Sequence, residues 1–358
     1  MAAFRTGVVT EIQPGSDVIV ELSVQLGDTT LEAVAFPQMI GPLAVGDRVV
    51  INTTGIELDL GTGGVAFALW NLDGPSEVDP GPGHIVKMRY TPWQTEVLAA
   101  EAPESPHHEV LRGIETIDGV PVVVCGLHSQ LGAACAGILA TAPDTKIGYL
   151  MTDGASLPLA WSRQVRELKV AGLIDVTCSA GHAFGGDLEA VNVYSGLVAL
   201  VHAGGADAVV VAMGPGVVGT GTTLGTTSIE QGWILDAVTA LGGVSIAALR
   251  VSFVDLRERH LGVSHHTLTA LTIAARERST VVVPVLPDDR LQEVTRQLRT
   301  AGVYEKHDVV EVDGAAALRL LADRGIRPSS MGRPLDDAPD LFVAAGSAGV
   351  HAARCLGR

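Results

Sequence analysis

Short apolar runs alternate with stretches of helical periodicity from about residue 119 to the end of the chain. Eight of these runs have the length and composition of buried strands, at 121–125, 146–151, 174–178, 208–212, 244–249, 281–286, 308–312 and 341–345. Helical patterns lie between most of them, at 129–140, 156–170, 187–203, 227–241, 264–278, 288–300 and 315–324. This alternation predicts an α/β domain in which helices cover both faces of a mostly parallel sheet.

The beginning of the chain follows a different pattern, in which β-like runs are short and turn signals separate them. The runs fall at 8–9, 18–24, 31–36 and 49–51. We predict a small all-β, barrel-like module over residues 1–70 and a linker rich in glycine and proline over 71–83. Residues 84–358 then form the α/β domain that carries the site. Within it, 84–90 is a candidate first strand and 95–102 has helical composition.

Residues 206–233 combine a strand-like run, a glycine-rich loop and a helical pattern. Ligands of parallel sheets bind beyond the carboxyl ends of the strands, where the strand order reverses. Glycine lets a backbone approach a ligand closely, and a helix start near Thr227, with Glu230 suited to a capping box, favours an anion. We therefore predict an anion-binding loop formed by Gly214, Gly216, Gly219, Thr220, Gly221 and Thr222. The spacing fits neither common nucleotide-binding pattern, so the cofactor is unknown, and a tight structural turn is the alternative.

Titratable residues occur at several of the predicted strand ends. Asp153 follows one strand directly, and His182 lies just beyond the next strand, with Asp187 close behind it. His260 and His265 belong to a loop that enters a predicted helix. Imidazole and carboxyl groups are the usual acids and bases of enzymes, so we predict these five residues as the acid–base groups of a site. An Asx turn or a helix cap is the alternative role for Asp153.

Two further residues are predicted to contact a ligand: His128, just after the first strand, and Arg257, near His260. Histidines and carboxylates on converging loops also suit zinc, manganese or iron. No HExxH motif or dense string of ligands is present, so no metal ligands are assigned. A metal-free polar pocket and a set of capping histidines at the surface are the alternatives. The irregular segment 327–340 either closes over the site or is a plain connection.

Composition and charge narrow the choice of partners. The 358-residue chain carries a formal net charge of −16 and has a mean hydropathy of +0.33. This charge excludes nucleic acid and anionic membranes as main partners but permits a local site for a small anionic molecule. The four cysteines form no CxxC pair, and the N-terminus has no apolar signal segment, so we predict a cytoplasmic protein. The sequence leaves formation of a homo-oligomer open.

Three phrases of this chain resemble those of one actinobacterial family that is known only as a domain of unknown function. They are GHAFGGDLEAVNVYSG at 181–196, MGPGVVGTGTTLGTTSIEQGW at 213–233 and RERHLGVSHHT at 257–267. The resemblance covers essentially the whole chain, and the excess of arginine over lysine, 20 to 4, fits a bacterial host with G+C-rich DNA. It implies a cytoplasmic bacterial protein and supplies no catalytic residues, because the family has no established activity.

Two functions follow as hypotheses. The first is an enzyme that acts on a small phosphate- or carboxylate-bearing metabolite, with the glycine loop binding the anion and the histidines and aspartates as acid–base groups or metal ligands. The second is a ligand sensor or an assembly protein that has the same pocket but performs no chemistry. The number of titratable groups at predicted strand ends favours the enzyme.

Overall fold

The computed structural model describes residues 2–15, 17–59, 64–75 and 81–357. Contacts divide the chain into two compact units. The first unit contains residues 1–81 and 88–95, and the second contains residues 82–87 and 96–358. Within the described ranges, no helix combines the length and the apolar character that a membrane crossing requires.

The first unit is built around a closed five-stranded barrel. Its strands are β1 (Phe4–Ile12), β2 (Val20–Leu26), β3 (Thr29–Ala35), β4 (Arg48–Asn52) and β5 (Ala66–Asn71). They close in the order β1-β2-β3-β5-β4, with β3 and β5 parallel and the other pairs antiparallel. Two single-turn helices, α1 (Pro37–Ile40) and α2 (Thr54–Glu57), flank β4. Alternating side chains such as Leu22 and Val24 fill the barrel, which confirms the predicted all-β module.

The second unit contains an eight-stranded sheet in which every pair of strands is parallel. The short pair β6 (Ile85–Lys87) and β7 (Thr95–Val97) precedes it as a separate two-stranded sheet. The strands of the main sheet are β8 (Pro121–Cys125), β9 (Ile147–Thr152), β10 (Val176–Ala180), β11 (Leu188–Ala190), β12 (Ala208–Met213), β13 (Val244–Ala248), β16 (Thr280–Pro284) and β17 (Asp308–Val312). Their order is β11-β10-β9-β12-β8-β13-β16-β17.

Helices cover both faces of this sheet, as the alternation of strand and helix patterns predicts. The helices are α3 (His108–Leu111), α4 (Leu131–Thr141), α5 (Arg163–Val170), α6 (Val193–His202), α7 (Glu230–Ala240), α8 (His265–Thr269), α9 (Asp288–Thr300), α10 (Val303–Lys306), α11 (Ala315–Asp323) and α12 (Pro339–Arg354). A π-helical turn, Ala270–Ala274, continues α8. Val123 packs with α4 and α12 on one face, whereas its neighbour Val124 packs with α6 and α7 on the other.

The predicted last strand, 341–345, is wrong, because these residues belong to helix α12. Residues 339–354 form a helix that is buried along most of its length, and a buried helix lacks the polar stripe that identifies a surface helix. A short apolar run inside such a helix cannot be distinguished from a buried strand by periodicity. The candidate strand at 84–90 lies outside the main sheet, and the run 95–102 begins with the short strand β7 rather than a helix.

The centre of the sheet is a switch point. After β8 the chain enters α4 on one face, whereas after the neighbouring strands β12 and β13 it enters helices on the other face. Loops that leave adjacent parallel strands towards opposite faces separate from one another and open a crevice at the carboxyl ends. In this fold a ligand is therefore expected to contact the residues that follow β8, β9, β12 and β13.

Helices α4 and α12 pack with unusually close backbones, and glycines make this contact possible. A Cβ atom on Gly349 would overlap the carbonyl oxygen of Ala134, and one on Gly137 would overlap that of Gly346. All four residues are buried. Helix α12 therefore depends on the absence of side chains where it crosses α4.

We predict that Gly349→Ala destabilises the protein. Helix propensity alone favours alanine by about 1 kcal/mol, but the overlap with Ala134 forces the helices apart at a cost of about 1–3 kcal/mol. Urea unfolding measures the change in the free energy of unfolding, and Arg354→Ala, at an exposed position of the same helix, is the control. Equal or greater stability of Gly349→Ala would contradict the close packing of α4 and α12.

Candidate functional site

A group of charged side chains lies beyond the carboxyl end of β13. Arg250 follows this strand and leads into β14 (Val251–Ser252), which pairs with β15 (Gly262–Val263). The hairpin loop between them carries Asp255, Arg257, Arg259 and His260. A second small hairpin, β18 (Ser329–Ser330) and β19 (Arg333–Pro334), brings Arg333 to the same place. We call Arg250, Asp255, Arg257, Arg259 and Arg333 the cationic cluster.

The carboxylate of Asp255 organises the cationic cluster. Its side chain is 2% exposed, and Arg257 donates to both of its oxygens, from Nε at 2.9 Å and from a terminal nitrogen at 2.8 Å. Arg250 and Arg333 each place a terminal nitrogen 3.8 Å from it. The hydrogen bond from Arg257 holds the pKa of Asp255 well below its usual range. Asp255 is therefore ionised and neutralises only part of the surrounding positive charge.

Arg250 is buried within this group, and its environment reflects the excess of cations. Burial and the neighbouring Arg257 guanidinium lower the pKa of Arg250 to about 10, although Asp255 opposes the shift. Arg259 and Arg333 act on it in the same direction as Arg257. Four guanidinium groups and one carboxylate leave a formal excess of three positive charges in a chain whose net charge is −16. Such a concentration of arginine suits phosphate or carboxylate groups.

Three imidazoles, the histidine cluster, lie beside the cationic cluster. The ring centroids are 5.1 Å apart for His260 and His265, 4.9 Å for His260 and His266, and 4.3 Å for His265 and His266. His260 Nδ1 is 2.8 Å from the Ser264 hydroxyl, and His266 Nδ1 is 3.2 Å from the Thr226 hydroxyl. Sequence analysis selected His260 and His265, and the structure adds His266 to them.

All three imidazoles are held in the neutral form. Burial, followed by the arginines nearby, lowers the pKa of His260 to about 3. Burial, then His265 and the arginines, lowers the pKa of His266 to about 4, and His265 is shifted in the same direction by burial and Arg259. Groups with such a low pKa are poor general bases near neutral pH. Burial and the neighbouring charges therefore favour the neutral form of these imidazoles, which can donate a hydrogen bond or bind a metal. The acid–base role of His260 and His265 stays a prediction.

The glycine loop after β12 lies against the histidine cluster. A Cβ atom on Gly219 would come within 2.8 Å of the His266 ring, and one on Gly221 would contact the Arg259 guanidinium at 3.7 Å. The loop also bonds to itself, since Thr220 N–H donates to Gly225 O at 2.8 Å and the Thr220 and Thr222 hydroxyls are 2.9 Å apart. Some of the backbone groups that were expected to bind an anion are therefore used within the loop, which forms a small hairpin.

The other two predicted loop glycines have structural explanations. A Cβ atom on Gly214 would overlap the carbonyl oxygen of Ser156, so this residue lets the loops after β12 and β9 pass each other. Gly216 has a φ of +108°, which only glycine adopts readily. Glycine at these two positions therefore fixes the path of the loop.

A second group, the carboxyl cluster, follows β9. It contains Thr152, Asp153, His182 and Glu230. Asp153 accepts a hydrogen bond from the His182 backbone N–H at 3.0 Å, and Thr152 donates its hydroxyl to Glu230 at 2.5 Å. The structure thus brings Asp153 and His182 together, as parallel strands allow, and adds Glu230 from the start of α7.

Glu230 has the perturbed acidity that acid–base catalysis needs. Burial raises its pKa to about 7, the Thr152 hydrogen bond opposes the shift, and the nearby Asp153 adds to it. The capping box expected at Glu230 does not form, because Thr226 caps the first helical turn and the Glu230 side chain turns towards β9. A carboxyl group that titrates near neutral pH can both accept and donate a proton under the same conditions.

A buried lysine anchors the loop that carries His182. Lys87 is fully buried, and its ammonium group donates to the carbonyl oxygens of Ala183 and Ala190, each at 3.0 Å. It also lies 3.3 Å from the carboxylate of Glu189. Burial raises the pKa of Glu189 although Lys87 opposes this. Lys87 therefore fixes the turn between β10 and β11 and, with it, the position of His182.

Two predicted site residues, His128 and Asp187, are not available to a ligand at the carboxyl edge of the sheet. His128 uses both ring nitrogens within the protein, with Met213 O at 2.9 Å and the Ser162 hydroxyl at 2.6 Å. Burial lowers its pKa to about 4. Asp187 accepts from Thr177, near the start of β10, and from Lys169, so it lies towards the opposite end of the strand from His182. Burial would raise the pKa of Asp187, but these hydrogen bonds outweigh it and lower it.

The irregular segment before α12 covers part of the site. The Ser330 hydroxyl accepts from Ser129 at 2.9 Å, and Arg333 reaches Asp255. The sulfur of Met331 lies 3.5 Å from Arg257 and 3.8 Å from Arg250. Of the two interpretations of 327–340, the contacts favour a cover over a plain connection.

A surface depression of about 770 Å³ lies at the opposite edge of the sheet, near the starts of β8, β9 and β12. Its polar groups serve the fold, since His202 Nε2 bonds to Thr116 O at 2.8 Å and the Asp207 carboxylate accepts from Lys146 N–H at 2.9 Å. Its lining includes three aspartates and no arginine or lysine, so it does not suit an anion. We therefore place the candidate site at the carboxyl edge.

Residues 32–349 match the family described as "Protein of unknown function (DUF3866)". The chain belongs to this family. The match begins within β3 and ends within α12, so it covers part of the barrel and the whole main sheet. It confirms the family expected from the three glycine- and histidine-rich phrases. A comparison with curated proteins finds no match. The description of the DUF3866 family states no activity.

The predicted set of site residues does not contain several that the structure places at the site of this DUF3866 member: Arg250, Asp255, Arg259, His266, Arg333 and Glu230 in a chemical role. A weak signal existed for some of them. The phrase DLRERH places one acidic and two basic residues before His260, and His266 is adjacent to His265. No sequence pattern indicated a chemical role for Glu230, because its burial depends on the packing of α7 against the end of β9.

We predict that Glu230 makes stability depend on pH. In the folded protein Glu230 keeps its proton to a pKa of about 7, whereas the ordinary value is 4.5. The folded state therefore binds more protons between these values, and the free energy of unfolding falls by up to about 3 kcal/mol as pH rises through that window. Glu230→Gln removes this contribution.

Urea unfolding at pH 5 and pH 7.5 tests this prediction. The stability of the wild type relative to Glu230→Gln should decrease between the two pH values. Glu277→Gln, an exposed carboxyl group of the same unit, is the control and should show no comparable decrease. A difference between wild type and Glu230→Gln that does not change with pH would show that Glu230 titrates like an exposed carboxyl group.

Proposed function

We propose that this protein is an enzyme that acts on a small phosphate- or carboxylate-bearing metabolite. The substrate binds in the crevice beyond the carboxyl ends of β8, β9, β12 and β13. The observation that carries the proposal is the cationic cluster, in which three arginines share one buried carboxylate and a fourth, Arg259, adds its charge nearby. An uncompensated group of guanidiniums in an acidic protein is costly unless an anion neutralises it.

The side chains of the cationic cluster suit binding of an anion with several oxygens. Arg257 and Arg259 are exposed, so their guanidinium groups can exchange water for ligand oxygens. Arg250 is buried and fixed, so it contributes charge at a defined position. We assign the glycine loop an anion-binding part through Gly219 and Gly221, whose lack of side chains leaves room beside His266 and Arg259.

The carboxyl cluster supplies the chemistry in this proposal. Glu230 is the general acid or base, because burial sets its pKa at about 7, and Asp153 influences that value. Thr152 orients Glu230 through their hydrogen bond. The neutral imidazoles of the histidine cluster serve as donors or ligands rather than as bases. Acid–base chemistry on a bound anion is therefore the reaction class that these groups support.

A non-catalytic sensor is the alternative function. It is favoured by the histidine cluster, because imidazoles that do not titrate near neutral pH recognise a ligand without exchanging protons with it. Both functions share the anion site and differ in whether the bound molecule changes. For either one we propose a cytoplasmic bacterial protein with no nucleic-acid or membrane partner. In the described structure no cysteine forms a disulfide, and all four are buried, which is consistent with a reducing compartment.

We predict that Arg257→Gln weakens binding of inorganic phosphate and of small dicarboxylates at least about tenfold, because one positive charge and a charge-assisted hydrogen bond to the anion are lost. Calorimetric titration measures the dissociation constants. Arg278→Gln is the matched control, since Arg278 pairs with Asp308 at 2.9 Å on the surface of the same unit. Equal affinities of Arg257→Gln and the wild type for every anion would overturn the anion site.

Product analysis distinguishes the enzyme from the sensor. The wild type is incubated with pools of phosphate esters and carboxylic acids, and mass spectrometry follows their conversion. An enzyme that uses Glu230 converts at least one compound, and Glu230→Gln binds that compound but converts it at least about 100-fold more slowly. Tight binding without conversion of the bound compound would favour the sensor.

A further inference from the structure

The histidine cluster has a geometry that its packing alone does not explain. One ring nitrogen from each of His260, His265 and His266 lies within 4.8 Å of the other two. Across the described ranges of the chain, this is the group of three His, Cys, Asp or Glu side chains that meets such a limit. His260 and His266 are buried, and His265 is half-buried at the rim. Three imidazoles therefore converge on one point that is only partly open to solvent.

His265 leaves a ring nitrogen without a partner at that point. Its Nε2 atom is buried and makes no hydrogen bond to any residue that the structure describes. A buried polar atom without a partner costs about 1–3 kcal/mol, so such atoms are rare in folded proteins unless a ligand satisfies them. A metal ion bound between the three imidazoles would give this nitrogen the partner that it lacks.

The two buried rings are held by hydroxyl groups on their other nitrogen. Ser264 lies 2.8 Å from Nδ1 of His260, and Thr226 lies 3.2 Å from Nδ1 of His266. The Ser264 oxygen can accept the Nδ1 proton of His260, which leaves Nε2 of that ring as the electron-pair donor. Nδ1 of His266 also lies 3.5 Å from a terminal nitrogen of Arg250, which only donates, so this contact has to open when His266 binds a metal through Nε2. Support of this kind, a hydrogen bond on the nitrogen that faces away from the metal, is a general property of metal-binding histidines.

We propose that His260, His265 and His266 bind one divalent metal ion of the zinc class. Nitrogen ligands suit zinc, cobalt, nickel or copper, whereas magnesium and calcium require oxygen ligands. Zinc–nitrogen bonds of about 2.0–2.1 Å in a tetrahedral site place the nitrogens about 3.3 Å apart, so the rings close slightly around the ion. Three protein ligands leave one coordination position open, as in catalytic rather than structural zinc sites.

The open position connects this site to the cationic cluster. A terminal nitrogen of Arg250 lies 3.5 Å from Nδ1 of His266, and the glycine loop that contacts His266 at Gly219 contacts the Arg259 guanidinium at Gly221. The positive charge of these arginines opposes a dication, so the metal binds most tightly when an anion takes the open position and contacts the arginines. This coupling rests on the proposed function, whereas the metal site itself does not.

The test uses the full chain, stripped of metal with a chelator, and titrates it with zinc and with cobalt. We expect one equivalent of either metal and, with cobalt, the visible absorption of a four-coordinate site. His265→Gln should weaken zinc binding at least about 100-fold, since loss of an outer partner alone costs 10–100-fold. The matched control is His84→Gln, because His84 is an exposed histidine of the same unit with its own partner, Glu104. It should bind zinc as the wild type does.

Gly219→Ala provides a second variant that retains all three histidines. Its methyl group would lie 2.8 Å from the His266 ring, so the ring has to shift, and zinc affinity should fall while the protein stays folded. Circular dichroism of each variant checks that it is folded. Zinc stoichiometry well below one in the wild type, or equal affinity in the wild type and His265→Gln, would overturn the metal site.

Replacing chloride by sulfate at constant ionic strength separates the two proposals. Tighter zinc binding in sulfate, lost in Arg257→Gln, supports a metal and an anion bound together. Unchanged zinc binding in sulfate would contradict the coupled anion site while the stoichiometric metal still supports the histidine site. Absence of zinc binding in both salts, together with phosphate binding that depends on Arg257, would overturn the metal site and leave the proposed function standing.

Discussion

The buried carboxylate of Asp255 is the interaction on which the candidate site depends. An ion removed from water loses several kcal/mol of solvation and remains charged only where close partners compensate it. Arg257 supplies the short bonds, and Arg250 and Arg333 add charge at 3.8 Å. Through this one group, three separate segments meet: the end of β13, the β14–β15 hairpin and the β18–β19 hairpin. Without it, Arg250 would be buried with no counter-charge.

The same fold creates two chemical environments of opposite character along one edge of the sheet. Near β13 the excess of guanidinium groups and burial keep the imidazoles neutral, so His260 has a pKa of about 3. Near β9 burial beside a second carboxyl group keeps Glu230 protonated up to about pH 7. The segment from β12 to α7 joins them, since Gly219 contacts His266 and Glu230 contacts Thr152. The environment therefore lowers the pKa of the histidines and raises that of the glutamate, and in both cases it favours the uncharged form.

Much of the architecture could be predicted because it depends on local patterns. Val122, Val123 and Val124 form a continuous apolar run, and such a run is typical of a strand covered on both faces. The run at 341–345 is also apolar, but it forms part of helix α12. That helix is buried by contacts with a distant part of the chain, such as the close approach of Gly349 to Ala134. The local sequence of a segment does not show which other helix or strand will pack against it.

The sequence by itself determined the α/β alternation, the β module and the placement of histidines and glycines after strands, because each follows from periodicity and turn chemistry within a few residues. Only the tertiary structure decided which of those residues meet. It gathered His260, His265 and His266 beside Gly219, and it joined Asp153 to His182. It left Asp187 near the start of β10 and occupied both nitrogens of His128. The order of strands in a sheet sets these distances, and that order depends on contacts between residues far apart in the chain.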